Sequence, residues 1–213
     1  MGTEAAQTDQ GSGEPPLKEG PIKAQSRDIN EVQVPNAIPN VQVINSGSGG
    51  TRWRCPQVKL VKINFDGAAF SASNMSNFGV VIRDSNGAVS CSQKTPQAYK
   101  AKVIEVLAAL KALSFAFELG FCSAILESDS LGLIQALKSE KRSLSPTGLL
   151  IEDVKMFSNN FVKLLYSHIK RNGNRVAHSL AKNALCIPDF QVWMEDVPSH
   201  SVSILQLDVI ELH

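Results

Sequence analysis

Three carboxylates, Asp66, Glu105 and Asp129, stand in stretches where a carboxylate is out of place. Asp66 follows the apolar run of Val58, Leu60, Val61, Ile63 and Phe65; Glu105 interrupts VIEVLAAL; Asp129 comes just after the apolar run of SAILESDS. A carboxylate turned towards apolar surroundings is costly unless it is paired or binds a metal ion. Metal coordination through hard oxygens is therefore the chemistry this set suggests. Each acid also has a plain structural account: Asp66 as a turn residue before Gly67, Glu105 on a solvated helix face, Asp129 as a helix N-cap. A helical wheel leaves the facing of Glu105 open, because positions 102, 105, 109 and 112 form a line beside the apolar stripe. It is the three together that ask for a common explanation.

The elements that must position them follow from periodicity and turn chemistry. After Pro56 the alternating run predicts a strand that ends near Asp66 and is stopped by Gly67. FGVVIRDSNGAVSCSQK gives two more strands around Asp84-Ser85-Asn86-Gly87, since Asn-Gly between strand-like segments is a strong hairpin signal. In KAKVIEVLAALKALSFAFELGF the apolar residues Val103, Val106, Leu107, Leu110, Leu113 and Phe117 fall at helical spacing, with Gly120 as the stop. SAILESDS then reads as a strand entering a helix, with Ser128, Asp129 or Ser130 available to cap LGLIQALKS. A helix over PTGLLIEDVKMFSNN, a strand over FVKLLYSHIK and a helix over NRVAHSLAKNALC complete the order βββαβααβα. That order predicts an α/β fold with a five-stranded mixed sheet, three antiparallel strands then two parallel, and helices on both faces.

Composition bounds the rest. Hydrophobic residues are 43% and charged residues 19% of the 213, so most of the chain can bury a core. Residues 1–50 hold seven of the fourteen glycines and five of the ten prolines, and their three cations face six anions. We expect residues 1–52 to be a disordered tail or linker, 53–187 the folded domain and 188–213 a C-terminal extension. The chain beyond residue 50 keeps eighteen cations and fourteen anions, a mildly basic balance that permits a nucleic-acid partner without demanding one. Cys55, Cys91, Cys122 and Cys186 lie far apart with no C-x-x-C pair, as expected of reduced thiols in an intracellular protein. No apolar run approaches the ~18 residues that span a bilayer, and the acidic start resembles neither a signal nor a transit peptide, so the expectation is a nuclear or cytoplasmic protein with no membrane contact.

Several ordered blocks resemble one known family. KINFDGAAF, GVVIRDSNGAV, EVLAALKALSFAFELGF, AILESDSLGLI and HIKRNGNRVAHSLAKNA look like the plant branch of ribonuclease H type 1-like domains, relatives of the domain associated with reverse transcriptases. The likeness covers about Trp53 to Leu185, and VWMEDVPSHSVSILQLDVI is similar to the tail such plant proteins often carry. The resemblance implies a ribonuclease H-like fold and an endonuclease that cuts the RNA strand of RNA/DNA hybrids. It also implies two divalent ions, Mg²⁺ or Mn²⁺, held by catalytic acids. In those motifs the Asp-Gly pair supplies Asp66, the helix acid aligns with Glu105 and the Glu-Ser-Asp-Ser block supplies Asp129. The family's fourth acid precedes a Leu-Ala pair, and here RNGNRVAHSLA puts His178 in its place.

Two-metal hydrolysis of a phosphodiester needs hard oxygen ligands that leave positions open for water and substrate. His178 is a softer ligand, better matched to Mn²⁺ or Zn²⁺, so the second ion is expected to bind more weakly; otherwise His178 is a helix-surface histidine. A catalytically weak or inactive, retroelement-derived nucleic-acid-binding domain is the alternative that this substitution keeps open. A hybrid displays 2′-hydroxyls in a wide, shallow groove, so its reader contacts sugar and backbone. Gly67 and Ala68, without bulk beside the first acid, and Arg171, Asn174 and Arg175 are the candidate substrate contacts. Asn64, Ser128 and Ser130 are candidates for supporting the acids, and His168 is expected to be structural. Some bacterial relatives carry a basic helical protrusion, for which Lys138, Lys141 and Arg142 are a thin substitute, so binding is expected to be weak and salt-sensitive. A monomer is expected.

Overall fold

The computed structural model describes residues 51–84 and 88–210. In chain order these form strands β1 (Val61–Phe70), β2 (Met75–Arg83) and β3 (Ala88–Thr95), helix α1 (Ala101–Glu118), strand β4 (Ser123–Ser128), helices α2 (Leu131–Lys138) and α3 (Pro146–Ser158), strand β5 (Lys163–His168), helix α4 (Arg175–Asn183), strand β6 (Phe190–Trp193) and helix α5 (Ser199–Ile210). The sheet order is β5-β4-β1-β2-β3-β6. β1, β2 and β3 form an antiparallel meander, and β4 and β5 extend it in parallel on the other side of β1. The α/β class and the mixed sheet are as the element order predicted. The expected linker over residues 1–50 and the expected Asn-Gly turn at 85–87 lie outside the described residues.

Two expectations are corrected. The sheet has six strands among the described residues, not five, because β6 pairs antiparallel with β3 from Ser90↔Trp193 to Gln93↔Phe190. β3 would otherwise be a sheet edge with unpaired backbone groups, and FQVW covers it. Four residues are too short a run for alternation to be legible in sequence. The second correction is that β1 does not stop at Gly67. It runs on to Phe70, with Gly67↔Phe78, Ala68↔Asn77 and Phe70↔Met75 paired across to β2.

Side chains of β1 alternate between two layers. Ile63 and Phe65 enter the main core with Phe78, Val80 and Ile82 of β2 and the buried face of α1, chiefly Ala108, Ala109, Ala112 and Leu113. The opposite face of the meander carries Val81, covered by Val176, Ala177 and Leu180 of α4 and by Val197. Asn64 and Asp66 project to this second side, which holds the polar chemistry. Helices cover both faces, as expected. α1 ends where Gly120 takes a φ of +84°, the left-handed conformation predicted for the stop. None of the described helices is long and apolar enough to cross a membrane.

Candidate active site

Asp66 sits well inside β1, directly across from Gly79 of β2, and is 1% exposed. α4 crosses over that pair. A Cβ on Gly79 would lie 2.4 Å from the Ala181 nitrogen and 2.5 Å from the Ala177 oxygen, so only glycine lets this helix rest on the sheet. The close approach carries His178 onto Asp66, with Nδ1 2.5 Å from Oδ2. Gly67 does the same for α1, since a Cβ there would stand 2.9 Å from the carbonyl carbon and oxygen of Ile104 and 3.1 Å from the Glu105 nitrogen. The Asp-Gly pair thus supplies an acid and the clearance that brings Glu105 to it. Glu105 is half-buried, and its Oε2 is buried with no hydrogen-bond partner.

Asp129 follows the last residue of β4 and is fixed by Asn174, at the start of α4. Asn174 is fully buried and donates from Nδ2 both to Asp129 Oδ1, at 3.1 Å, and to the Phe65 carbonyl oxygen, at 2.9 Å. Its place is thus between β1 and the third acid. Arg171, in the turn before α4, reaches across: its Nη1 is 3.2 Å from Asp129 Oδ2 and 3.4 Å from Asp66 Oδ2. The same Nη1 lies 3.0 Å from His178 Nδ1. With Asp66 ionised, that ring nitrogen carries a proton and donates to the carboxylate, so it has no lone pair to offer Arg171. The guanidinium is held there by the two carboxylates.

Burial dominates the electrostatics. It raises the Asp66 carboxyl above its ordinary value; the His178 hydrogen bond lowers it, Asp129 raises it, and the charges of His178 and Arg171 lower it. Glu105 is pushed up to about 8, first by burial, then by the negative charges of Asp66 and Asp129, with Arg171 opposing. Burial thus raises two of the acids, and Glu105 Oε2 has no hydrogen-bond partner.

Among the described residues no group of three His, Cys, Asp or Glu side chains already stands in metal-binding geometry. The donor chemistry nonetheless fits a hard divalent cation. The acids supply oxygen ligands, one of them orphaned, and burial holds the Asp66 and Glu105 carboxyls up although Arg171 stands beside them.

The remaining candidates are spread around this centre. Ala68 is half-buried on β1, and Arg175 Nη2 contacts Asp208 Oδ1 of α5 at 3.3 Å. Ser128 Oγ accepts from the Ser130 backbone nitrogen at 3.2 Å, while the Ser130 side chain makes no capping bond to α2. His168 ends β5 opposite Ser128.

Sequence reasoning named Asn64 as a support for the acids but missed the polar layer it belongs to. Glu127, buried on β4, accepts from Asn64 Nδ2 at 3.0 Å, Ser167 Oγ at 3.1 Å and Lys62 Nζ at 3.3 Å. Asn64 Oδ1 in turn accepts from Arg83 at 3.0 Å, and Arg83 pairs with Asp208 at 2.7 Å while stacking 4.0 Å over the Trp53 ring. The available signal was period two: Asn64 and Glu127 each stand two residues before a site acid and are register partners on adjacent parallel strands.

The profile of the family described as reverse transcriptase-like matches residues 64–184. No curated protein matches the chain in sequence. The structure resembles RNase H1 from the halophilic archaeon Halobacterium salinarum, with a TM-score of 0.55, 23% identity, and coverage of 60% of this chain and 98% of that one. An N-terminal RNase H domain from Mycobacterium tuberculosis gives 0.54 at 21% identity, covering 60% and 94%. LC11-RNase H1, solved in complex with an RNA/DNA hybrid, gives 0.53 at 22% identity, covering 59% and 96%. The fold is RNase H-like.

Proposed function

The chain belongs to the reverse transcriptase-like family, and from that premise we propose that its domain is a metal-dependent endonuclease acting on the RNA strand of RNA/DNA hybrids. The observation that carries this reading is the convergence of Asp66, Glu105 and Asp129 from β1, α1 and the end of β4, with the buried Glu105 Oε2 left without a partner. The neighbour solved with an RNA/DNA hybrid supports the substrate class.

Asp66, Glu105 and Asp129 would hold divalent ions, Mg²⁺ or Mn²⁺, with His178 completing a second position, and such ions activate water and stabilise the leaving oxygen. The protein's own part is positioning. Asn174 fixes Asp129 by its 3.1 Å hydrogen bond, and the Asp66 carboxylate holds the His178 ring by Nδ1, leaving Nε2 as the ring nitrogen available for a proton or a ligand. Arg171 and Arg175, 58% and 35% exposed at their side chains, are suited to contact backbone phosphates, with Gly67 and Ala68 beside the groove.

The test is cleavage of a hybrid labelled on its RNA strand, in Mg²⁺ and in Mn²⁺, beside a duplex RNA of the same sequence. The reading expects hybrid-selective cleavage leaving 5′-phosphate and 3′-hydroxyl ends, more readily in Mn²⁺; no cleavage with either ion counts against it. The second reading, a nucleic-acid-binding domain that does not cut, is favoured by one observation: an imidazole stands on Asp66 where the family's motif has an acid. Cleavage by His178→Asp from an inert wild type selects that reading.

A further inference from the structure

We infer that Arg171 is a built-in counter-ion of the acid site, which a divalent ion must displace and which, once displaced, is free to engage the phosphate backbone of the substrate. The inference rests on the metal-site reading above and concerns what stands in that site beforehand.

One guanidinium nitrogen reaches Oδ2 of both Asp66 and Asp129, at 3.4 and 3.2 Å, so a single positive charge lies between two of the three acids. It makes no hydrogen bond to Oε2 of the third, Glu105, which keeps no partner. The guanidinium serves two of the three acids, where a doubly charged ion with several coordination positions can serve all three.

The rest of Arg171 is placed to let the guanidinium go. Its side chain is 58% exposed, against 2% for Asp66, so it approaches from solvent rather than from the core. Its backbone, by contrast, is pinned. Gly173 is packed so tightly that a Cβ would stand 2.1 Å from Ile169 Cδ1 and 3.1 Å from the Arg52 backbone, and the next residue is the buried Asn174. A long side chain on a fixed turn moves by rotamer changes alone, without refolding anything. Half-exposed ion pairs of this kind are weak, so the displacement lowers metal affinity by a modest factor, and by linkage bound metal weakens the arginine's hold on the acids equally.

The test is a Mn²⁺ titration of the full chain by calorimetry, without nucleic acid, comparing wild type with Arg171→Gln, Arg171→Lys and Lys170→Gln. The last removes the same charge one residue away, from an exposed side chain. Arg171→Gln is expected to bind Mn²⁺ about three- to tenfold more tightly than wild type, with Arg171→Lys between them and Lys170→Gln unchanged. Unchanged or weaker binding by Arg171→Gln overturns the inference, and so does equal tightening by Lys170→Gln, which would mark a general charge effect. If Arg171→Gln does not fold, tighter binding by Arg171→Lys supports the inference and wild-type affinity overturns it. Failure of all four proteins to bind Mn²⁺ overturns the metal-site reading itself, an outcome distinct from the others.

Discussion

Glu105 enters the site from the apolar helix α1 with one oxygen that no donor reaches, and burial beside Asp66 and Asp129 pushes its carboxyl up to about 8. A folded-state value raised from 4.5 means that the folded protein favours the protonated acid, so this contribution to stability is complete below about 4.5 and is lost as pH rises through about 8. The metal-free protein is therefore expected to lose melting temperature between pH 5 and pH 8, and Glu105→Gln to flatten that slope, measured by thermal melts in chelator. Metal competes with the proton for the same oxygens, so added Mn²⁺ should restore stability mostly at the alkaline end. At this scale the sequence was informative about residue type and silent about contact. An acid inside VIEVLAAL marked Glu105 as anomalous, yet its facing stayed open on the wheel. Gly67 settles it, because the helix backbone comes within van der Waals reach of the strand there. Nothing in the sequence announced that Arg171 would span two of the acids.

At the scale of elements, the site exists because two helices are allowed to lie unusually close to β1 and β2. Gly79→Ala puts a methyl group 2.4–2.5 Å from backbone atoms of α4, which cannot give way as a side chain would. We expect a loss of at least about 1–3 kcal/mol, read in denaturant melts, and a displaced His178. The C-terminal extension is the second element-scale dependency. Asp208 of α5 is 4% exposed and pairs at 2.7 Å with Arg83, itself 3% exposed. Removing one partner of a buried pair strands the other charge, so Asp208→Ala should cost about 3–5 kcal/mol, seen as a melting temperature lowered on the order of 10 °C. The meander, both long-helix boundaries and the βα junction at Asp129 were legible, because each carries a strong period or a stop residue. β6 and the role of α5 were not, since a four-residue edge strand and a buried Asp–Arg pair between distant segments leave no periodic trace.

For the whole molecule, the strongest agreement between sequence and structure is topological: an antiparallel meander followed by parallel strands, which brings β1 and β4 side by side and with them Asp66 and Asp129. The described domain has its own core on each face of the sheet. Deleting residues 1–50 is accordingly expected to leave its melting temperature within about 1–2 °C, a change of well under 1 kcal/mol; a large loss would show that the glycine- and proline-rich stretch contributes to folding. The account as a whole stands on Asp66, the acid that β1 buries and that His178 and Arg171 both touch. The most direct test is the rate of RNA-strand cleavage of a hybrid by wild type and by Asp66→Asn, a change that keeps shape and removes the charge. The account predicts cleavage by the wild type and a loss of more than ~100-fold in the variant, beyond what supporting residues of a metal site usually contribute. Equal rates in the two proteins would contradict it.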